Sequence, residues 1–470
     1  MLLKQSKKRS NEACCQGQNL KSCVNVEVDI SALTSQEDLS IGGIDYSFAN
    51  TIEPNGYVFK NDEGDEAVIT YNSNTGNVFG GIKTSNGQSL ALEKCSDFIV
   101  LKEFDISTFS SKTDKSIYIE PNNTQIKNFE VSSDNSTIVT YTVMFYYTPE
   151  FAAITADIPG YIDQVIAETN QGYENSQVPV RVARFCIEAA SINDIQDTGD
   201  FITTFANMKG SIQALRNSAD AAALLAADFD SCGVAYQAQY LNGWTVSIAT
   251  KSCALGYYSF GHEVGHNFGC HHNIEVAVNN GYSYGYAHLI AQGTASSGRR
   301  TILAYSATNH YTRVNYYSNP SVIYPGTGTP TGVAGISNNA AVLTQNRFTF
   351  AALGDESATC SDGSSPTPSP IPTPAPTPST TPSSGSCGNC VFPFIYGNRI
   401  HDRCTVIDGD TTPWCSTQVD SNGVHVSGGG HWEYCTDSSC PGTSTATSPS
   451  QVAVSSGNEI GSCCKYLILF

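Results

Sequence analysis

The sequence predicts a chain of several domains, in which a central α/β domain follows a β-rich domain and precedes a small disulfide-rich module. Three observations favour this fold class. Residues 137–187 show strand, helix and strand patterns, the region before 136 consists of short β-rich runs, and residues 387–440 are dense in cysteine. At 470 residues the chain is also longer than the ~250–300 residues at which single cores stop growing. More than one core is therefore expected.

Changes in composition mark the boundaries between these parts. The clearest is a Ser/Thr/Pro tract, which lacks the apolar residues needed to offset the entropy of ordering and is therefore a linker. We predict an amino-terminal segment (1–22), a β-rich domain (23–136), an α/β domain (137–360), a linker (361–386), a cysteine-dense module (387–440) and a polar tail (441–470).

Each folded part has its own periodicity. In the β-rich domain, short runs separated by Asn, Gly and Asp turns predict strands at Gly56–Lys60, Ala67–Tyr71 and Phe98–Phe104. In the α/β domain we expect strands at 137–147, 178–187, 233–236 and 244–249, and helices at 152–169 and 201–227.

Charge and cysteine content limit the environment and the partners. The net charge of -19, without a basic face, excludes nucleic acid as a favoured partner. Seventeen cysteines indicate an oxidising, secreted or extracellular location, although no signal peptide is visible at the start. No apolar run reaches the length of a membrane span. Asn122 and Asn135 head glycosylation acceptor triplets.

The α/β domain contains the spacing H-E-x-x-H-x-x-G-x-x-H at residues 262–272. His262 and His266 lie four residues apart, so on a helix both imidazoles project from one face toward a single cation. Gly269 can adopt the left-handed conformation that ends a helix, and the turn then returns His272 as a third ligand. The pattern predicts a three-histidine metal site.

Three neutral imidazoles suit Zn²⁺ and leave a fourth position open, as catalytic zinc sites do. Glu263 stands beside the first ligand without being one, which makes it the candidate general base for a metal-activated water. The pattern therefore indicates hydrolysis with one catalytic zinc ion. Structural zinc and metal storage are disfavoured by the open position and by Glu263.

This motif resembles that of the metzincin zinc endopeptidases, and residues 137–354 are most similar to the reprolysin (adamalysin)-like branch. The resemblance implies a mostly parallel twisted sheet with an antiparallel edge strand that binds substrate. It also implies a turn beneath the zinc, where Leu303 takes the usual methionine position. Leu and Met have similar volume, so the apolar floor is expected to persist. Tyr305 matches a tyrosine that binds zinc or the oxyanion in some metzincins; the alternative is a packed tyrosine.

Zinc proteases of this clan are usually made as zymogens, so the resemblance makes residues 23–136 propeptide-like. A thiolate can occupy the open zinc position, and Cys95 is the candidate. The alternative is an ordinary disulfide within the set Cys14, Cys15, Cys23 and Cys95. Elsewhere, we expect disulfides joining Cys232 to Cys253 and Cys186 to Cys270.

Residues 390–435 resemble a fibronectin type II module. The resemblance implies disulfides Cys390–Cys415 and Cys404–Cys435. Cys387 and Cys440 bracket the module and are candidates for an extra disulfide. Type II modules of gelatinase-type enzymes bind collagen or gelatin through exposed aromatics. The analogous candidates here are Phe394, Tyr396, Trp414, Trp432 and Tyr434, of which Tyr396 and Trp432 are preferred; the alternative is that they form the core.

Together these features predict a secreted, latent zinc endopeptidase that a type II module directs to protein substrates, including collagen- or gelatin-like matrix. The alternative is a catalytically weak relative that acts as a matrix-binding adhesion protein, with Leu303 as the residue in its favour.

Overall fold

A computed structural model describes residues 4–5, 15, 20–104, 115–119 and 137–360, together with parts of 390–435. Gaps lie at 42–43, 85–86, 96–97, 239–242, 278–281, 292–297, 306–310, 356–357 and 359. The chain separates into two compact units, Met1–Ala375 and Pro376–Phe470. None of the described helices is both long and apolar enough to cross a bilayer. Several sequence predictions lie outside the described residues: the linker 361–386, the tail 441–470, Asn122, Asn135, Cys14, Cys387 and Cys440.

The β-rich region forms a nine-stranded sheet in which every neighbouring pair is antiparallel. Its strands are β1 (Lys4–Gln5), β2 (Leu20–Glu27), β3 (Leu39–Ile41), β4 (Ile44–Ile52), β5 (Gly56–Lys60), β6 (Glu66–Asn72), β7 (Asn77–Lys83), β8 (Ser89–Cys95) and β9 (Phe98–Phe104). The order is β1-β2-β9-β8-β7-β6-β5-β4-β3. The three predicted strands correspond to β5, β6 and β9.

A second, six-stranded sheet carries the α/β part of the chain. Its strands are β10 (Lys115–Ile119), β11 (Val139–Tyr147), β12 (Val180–Ala189), β13 (Ala221–Ala226), β14 (Gly233–Ala238) and β15 (Val246–Thr250), in the order β10-β14-β15-β13-β11-β12. The pairs of β11 with β12, β11 with β13 and β13 with β15 are parallel, whereas β14 is antiparallel to β15. β10 pairs with β14 in parallel.

The helices and the remaining short strands surround these sheets. The helices are α1 (Ile30–Thr34), α2 (Pro149–Ala153), α3 (Ile158–Asn175), α4 (Thr198–Asn207), α5 (Ile212–Arg216), α6 (Lys251–Ala254), α7 (Ser259–Asn267) and α8 (Asn339–Ala351). The short strands of the first unit are β16 (His271–Asn273), β17 (Tyr286–Ala287), β18 (Leu289–Ala291), β19 (Arg299–Arg300), β20 (Thr312–Arg313), β21 (Ile323–Tyr324) and β22 (Thr329–Pro330).

The predicted helix 201–227 is wrong in its second half, where the chain forms β13. All six residues of β13 are buried between β11 and β15. A central strand that is buried on both faces has no apolar–polar alternation, so its Ala/Leu run cannot be distinguished by period from a buried helix. The predicted helix 152–169 is also two helices, because Asp157 caps a new one at α3 with its side chain.

Helix α3 lies between the two sheets and joins them. On β5 and β6, Phe59 and Ala67 enter the core of the β-rich region, whereas Val58 and Val68 pack with Ala167 of α3. Polar contacts accompany this packing. Gln164 on α3 donates to the carbonyl of Val68 at 2.8 Å and accepts from the amide of Thr70 at 3.0 Å. The β-rich region is thus docked on α3 by buried contacts.

A buried ion-pair network also joins β8 to α6. The carboxylate of Glu93 lies 2.9 Å from Lys102 Nζ and 3.2 Å from Lys251 Nζ. Burial alone would raise the pKa of Glu93, but the two ammonium groups together lower it to about 2. Glu93 is therefore an ionised group whose partners come from both regions of the unit.

One disulfide prediction in the first unit is wrong and one is confirmed. Cys186 is bonded to Cys360, whereas Cys270 is a buried free thiol. The reason is that Cys186 and Cys270 belong to different cores on opposite faces of the six-stranded sheet. The pair Cys232–Cys253 forms as expected.

Cys95 does not support the latency hypothesis based on its thiolate. It is buried and disulfide-bonded, so it has no thiolate to offer a metal. Cys15 is bonded to Cys23. The structure therefore corrects the role of Cys95 from metal-binding switch to structural disulfide, which was the alternative.

The second unit is described by itself from two hairpins, β23 (Phe394–Tyr396) with β24 (Arg399–His401) and β25 (Trp414–Ser416) with β26 (Trp432–Tyr434). Cys390 is bonded to Cys415 and Cys404 to Cys435, the pairing that the type II resemblance implies. These cystines and Trp414 form the small core. Trp432 and Tyr434 are each 44% exposed, and the side chain of Tyr396 lies outside the described residues.

Candidate metal and active site

The metal motif begins on α7, a short helix that is buried at every position. Its last residue, Asn267, donates through Nδ2 to the carbonyls of Tyr236 at 2.9 Å and Val246 at 3.1 Å. These two bonds fix the helix to β14 and β15. Gly269 then ends the helix with φ of 98°, a left-handed conformation that favours glycine, and the chain turns into β16.

This turn brings the three predicted ligands together. The Nε2 atoms of His262 and His266 are 3.0 Å apart, those of His266 and His272 are 2.9 Å apart, and those of His262 and His272 are 3.2 Å apart. All three side chains are buried. His271, which is out of register, instead contacts the side chain of Gln237 through Nδ1. The three histidines that the motif spacing predicts therefore lie together in the structure.

The backbone determines which ring nitrogen faces the centre. His262 Nδ1 is 2.8 Å from the carbonyl of Ile302, and His266 Nδ1 is 2.9 Å from the carbonyl of Cys270. A carbonyl only accepts, so in each neutral ring the proton is on Nδ1 and a lone pair is on Nε2. Burial and the neighbouring His266 lower the pKa of His262 well below its usual range.

Lone pairs that converge within 3.2 Å would repel one another unless a cation lies between them. The three nitrogens therefore fit a metal ion, and imidazole nitrogen is a donor that Zn²⁺ accepts readily. The same donor set does not suit Ca²⁺ or Mg²⁺, which prefer oxygen. The carbonyls of Ile302 and Cys270 supply the outer hydrogen bonds that orient such ligands.

Glu263 follows His262 in the helix, is fully buried and packs against Gly233 of β14. A Cβ built on Gly233 would lie only 2.4 Å from Glu263 Oε1 and 2.8 Å from its Cγ. The absence of a side chain at Gly233 therefore leaves the space in which the Glu263 carboxylate lies. Gly233 was not predicted from the sequence, since an isolated glycine at the start of a strand indicates only a strand boundary.

Leu303 forms the apolar floor beneath the motif. It is fully buried, and a Cβ on Gly265 would meet its Cδ1 at 3.0 Å, so the leucine fills the space below the helix between the two histidines. Tyr305 lies against His272, with the two ring centroids 3.9 Å apart. Its amide donates to Asn273 Oδ1 at 2.8 Å, which holds the turn close to β16.

Two buried titratable side chains also fix the loop that leads into α7. Glu168 on α3 accepts from the amide of Gly256 at 2.9 Å, and Lys83 on β7 donates to the Gly256 carbonyl at 3.1 Å. Burial raises the pKa of Glu168 to about 8 and lowers the pKa of Lys83 to about 7. The β-rich region therefore contacts the segment that positions the metal-ligand helix.

Comparison with known proteins connects this geometry to a family. Residues 138–318 match the model of metallo-peptidase family M12, and residues 390–435 match the fibronectin type II domain. The chain is 30% identical over 307 residues to a peptidyl-Asp metalloendopeptidase of Stenotrophomonas maltophilia strain R551-3, covering 63% of this chain and 72% of that protein. The protein of the same name from strain K279a is 33% identical over 215 residues, which are 43% of this chain and 50% of the relative.

A third peptidyl-Asp metalloendopeptidase, from Pseudomonas fragi, is 31% identical over 157 residues, covering 33% of this chain and 85% of that protein. Among solved structures, metalloproteinase-II from Bacteroides fragilis has a TM-score of 0.34 at 12% identity, over 52% of this chain and 85% of that one. The match to the R551-3 relative and the two domain matches show that this chain belongs to metallo-peptidase family M12, in the metalloendopeptidase class of hydrolases, and carries a fibronectin type II domain.

Proposed function

We propose that this protein is a zinc-dependent endopeptidase in which Glu263 is the general base. One observation carries the proposal: three buried imidazole nitrogens converge within 3.2 Å, and the adjacent residue in the helix is a buried glutamate. A three-nitrogen set leaves a coordination position for a reactant, which a structural four-ligand site does not.

In this proposal His262, His266 and His272 hold the zinc ion. When bound, zinc lowers the pKa of water and polarises the carbonyl of the scissile peptide. Glu263 accepts the proton of the attacking water and donates it to the leaving amine, so no covalent link to the chain forms. The carbonyls of Ile302 and Cys270 keep the imidazoles oriented, and Gly233 lets the carboxylate lie against β14.

The alternative, a catalytically weak adhesion protein, is favoured by Leu303 at the usual methionine position. That side chain is buried and fills the space against Gly265, so the floor beneath the ligands is retained. We therefore favour the enzyme. Replacing Tyr305 by phenylalanine distinguishes a tyrosine that only packs from one that binds the oxyanion. If the ring only packs, kcat should be unchanged. If the hydroxyl binds the oxyanion, its loss should lower kcat by roughly 10²–10³-fold.

For substrate we propose peptide bonds next to aspartate, as the names of the relatives suggest. Two quenched peptides that differ only in Asp against Asn test the proposal. Faster cleavage of the Asp peptide is expected, and equal rates would contradict it.

We further propose that the protein is extracellular, made as a latent precursor, and directed to matrix by its type II domain. Disulfides in both units support an oxidising location. The exposed Trp432 and Tyr434 lie edge to face with centroids 5.0 Å apart and offer an aromatic surface. Weaker retention of the full chain on gelatin after Trp432→Ala is the expected result.

The central test compares the full chain with Glu263→Gln, which keeps the shape of the side chain and removes the base. The unsubstituted chain, after activation, should hydrolyse a quenched peptide in a chelator-sensitive way with one zinc per chain. The variant should retain zinc and lose at least ~10²-fold in kcat. Zinc without turnover in the unsubstituted chain would favour the binding protein.

A further inference from the structure

A polar pocket of about 350 Å³ lies where the β-rich region meets the α/β part of the first unit. Lys60 at the end of β5 and Lys83 at the end of β7 line it from the β-rich region. Tyr258 and Tyr316 line it from the other side. Tyr258 is the N-cap of α7, so the pocket reaches the residue directly before the metal-ligand helix. Of the described residues that line the pocket, none is a proposed zinc ligand or Glu263.

Several hydrogen-bond donors of this pocket are not used by the protein. Lys83 is 4% exposed and Tyr258 is 5% exposed. Within the described part of the chain, the hydroxyls of Tyr258 and Tyr316 have no hydrogen-bond partner. Lys83 donates to the carbonyl of Gly256 at 3.1 Å, although an ammonium group carries three N–H donors. Burial raises the pKa of Tyr258 well above its usual range, so its hydroxyl keeps the proton that it can donate.

The carboxylates of the pocket, by contrast, already accept hydrogen bonds. Glu66 Oε1 accepts from Asn315 Nδ2 at 2.9 Å, and Glu66 Oε2 accepts from Asn175 Nδ2 at 2.7 Å. Asp65 Oδ2 accepts from Asn61 Nδ2 at 2.8 Å. Buried donors are normally paired, and these carboxylates are engaged elsewhere. The pocket therefore suits a ligand that brings its own acceptor atoms.

The charges around Lys83 favour a ligand that is an anion. Burial and neighbouring guanidinium groups lower the pKa of Lys83 to about 7; these groups belong to Arg313, Arg300 and Arg299. Glu168 also interacts with Lys83, but burial raises its own pKa to about 8, so it is mostly neutral at pH 7. An anion beside Lys83 would offset the repulsion among these cations. Oxyanions form the strongest hydrogen bonds with such donors, because the pairing is charge-assisted.

The backbone of Tyr258 also indicates a functional constraint. Its φ is 62°, in the left-handed region that is uncommon for a bulky residue. Such conformations persist where the surrounding structure holds them, and they cluster at ligand-binding and other functional sites. The Nζ of Lys83 lies 5.7 Å from the centroid of the Tyr258 ring, so these two side chains are neighbours in the pocket.

We propose that this pocket binds a small tetrahedral oxyanion of the sulfate or phosphate type, held by Lys83, Tyr258 and Tyr316. An oxyanion with four oxygens can accept from all three side chains at once. It would connect the β-rich region, through Lys83, to the residue before α7, through Tyr258. The bound anion would therefore stabilise this contact within the first unit. The proposal is independent of the endopeptidase function, because its test measures binding and not hydrolysis.

The test titrates sulfate into the full, uncleaved chain by calorimetry, with chloride used to keep the ionic strength constant. Sulfate is the probe because it does not itself titrate near neutral pH. The variants are Lys83→Met, Tyr258→Phe and Tyr316→Phe; the two phenylalanine variants keep the ring and remove only the hydroxyl. Lys209→Met is the matched control, since it removes the same charge from an exposed ion pair with Glu188.

We expect saturable binding that Lys83→Met weakens roughly tenfold or more, that each phenylalanine variant weakens roughly threefold or more, and that Lys209→Met leaves unchanged. Binding at pH 8 should also take up roughly one proton, because Lys83 with its pKa of about 7 is mostly neutral there. Surface lysines, with a usual pKa of about 10.4, are already charged at this pH and would take up none.

Three results would overturn the proposal. The first is no saturable binding of sulfate by the full chain. The second is equal affinity in the full chain and in the variants of Lys83, Tyr258 and Tyr316; if Lys83→Met does not fold, the two phenylalanine variants decide. The third is saturable binding at pH 8 without proton uptake, which would place the anion away from Lys83.

Discussion

Replacing Gly233 by alanine tests the position of the proposed general base. The new Cβ would lie 2.4 Å from Glu263 Oε1, whereas ordinary van der Waals contact begins at 3.4 Å, so the carboxylate must retreat by about 1 Å. A misplacement of that size costs about 10²-fold in rate, or about 2.7 kcal/mol of transition-state stabilisation. The three heavy atoms nearest to the new methyl group all belong to Glu263.

The assay measures kcat/KM, bound zinc and the thermal midpoint of activated Gly233→Ala. The control is Gly199→Ala, because a Cβ at Gly199 meets its nearest atom, Asp197 Oδ1, at 3.4 Å. We expect a rate loss of about 10²-fold with zinc retained in the first variant, and unchanged kinetics in the second. A Gly233→Ala enzyme that keeps at least half of the original kcat/KM would refute the proposed position of Glu263 against β14.

Three further predictions follow from the same structure. His272→Ala should abolish stoichiometric zinc binding while His271→Ala preserves it, as native mass spectrometry would show; equal losses would contradict the ligand assignment. Glu93→Gln should cost about 3 kcal/mol of unfolding free energy at pH 7, because the folded pKa of about 2 lies below the usual 4.5. This contribution to stability is present above pH 4.5 and is lost as the pH falls toward 2. In acid, the unfolding free energies of the unsubstituted protein and of Glu93→Gln, measured by urea titration, should therefore approach each other. Cys360→Ser opens a disulfide of sequence separation 174 and should lower stability by about 2–5 kcal/mol, and an unchanged urea midpoint would contradict it.

Some features were predictable because short stretches of sequence encode them. The segment His262–His272 contains its ligands within three turns of chain, so helical spacing and one glycine suffice to place them. The strands β5, β6 and β9 follow from alternation and turn residues. By contrast, β13 could not be distinguished from a helix, because a strand buried on both faces has no alternating pattern.

Other features depend on parts of the chain that no local pattern connects. The partner of Cys186 depends on the face of the sheet on which its side chain lies, and the predicted partner Cys270 lies in a different core. The role of Cys95 likewise required the three-dimensional structure, since an acidic and basic sequence context is compatible with either a thiolate or a disulfide.

The sequence by itself therefore predicted the candidate ligand set and the candidate base, and it indicated the family, because these depend on residue type and short spacing. Only the tertiary structure decided that the carbonyls of Ile302 and Cys270 orient the histidines, that Gly233 lies beneath Glu263, and that β10 occupies the edge of β14. The physical reason is that these contacts are made by backbone atoms or by the absence of a side chain. Every residue type offers the same carbonyl and amide groups, so the sequence does not indicate which of them will meet.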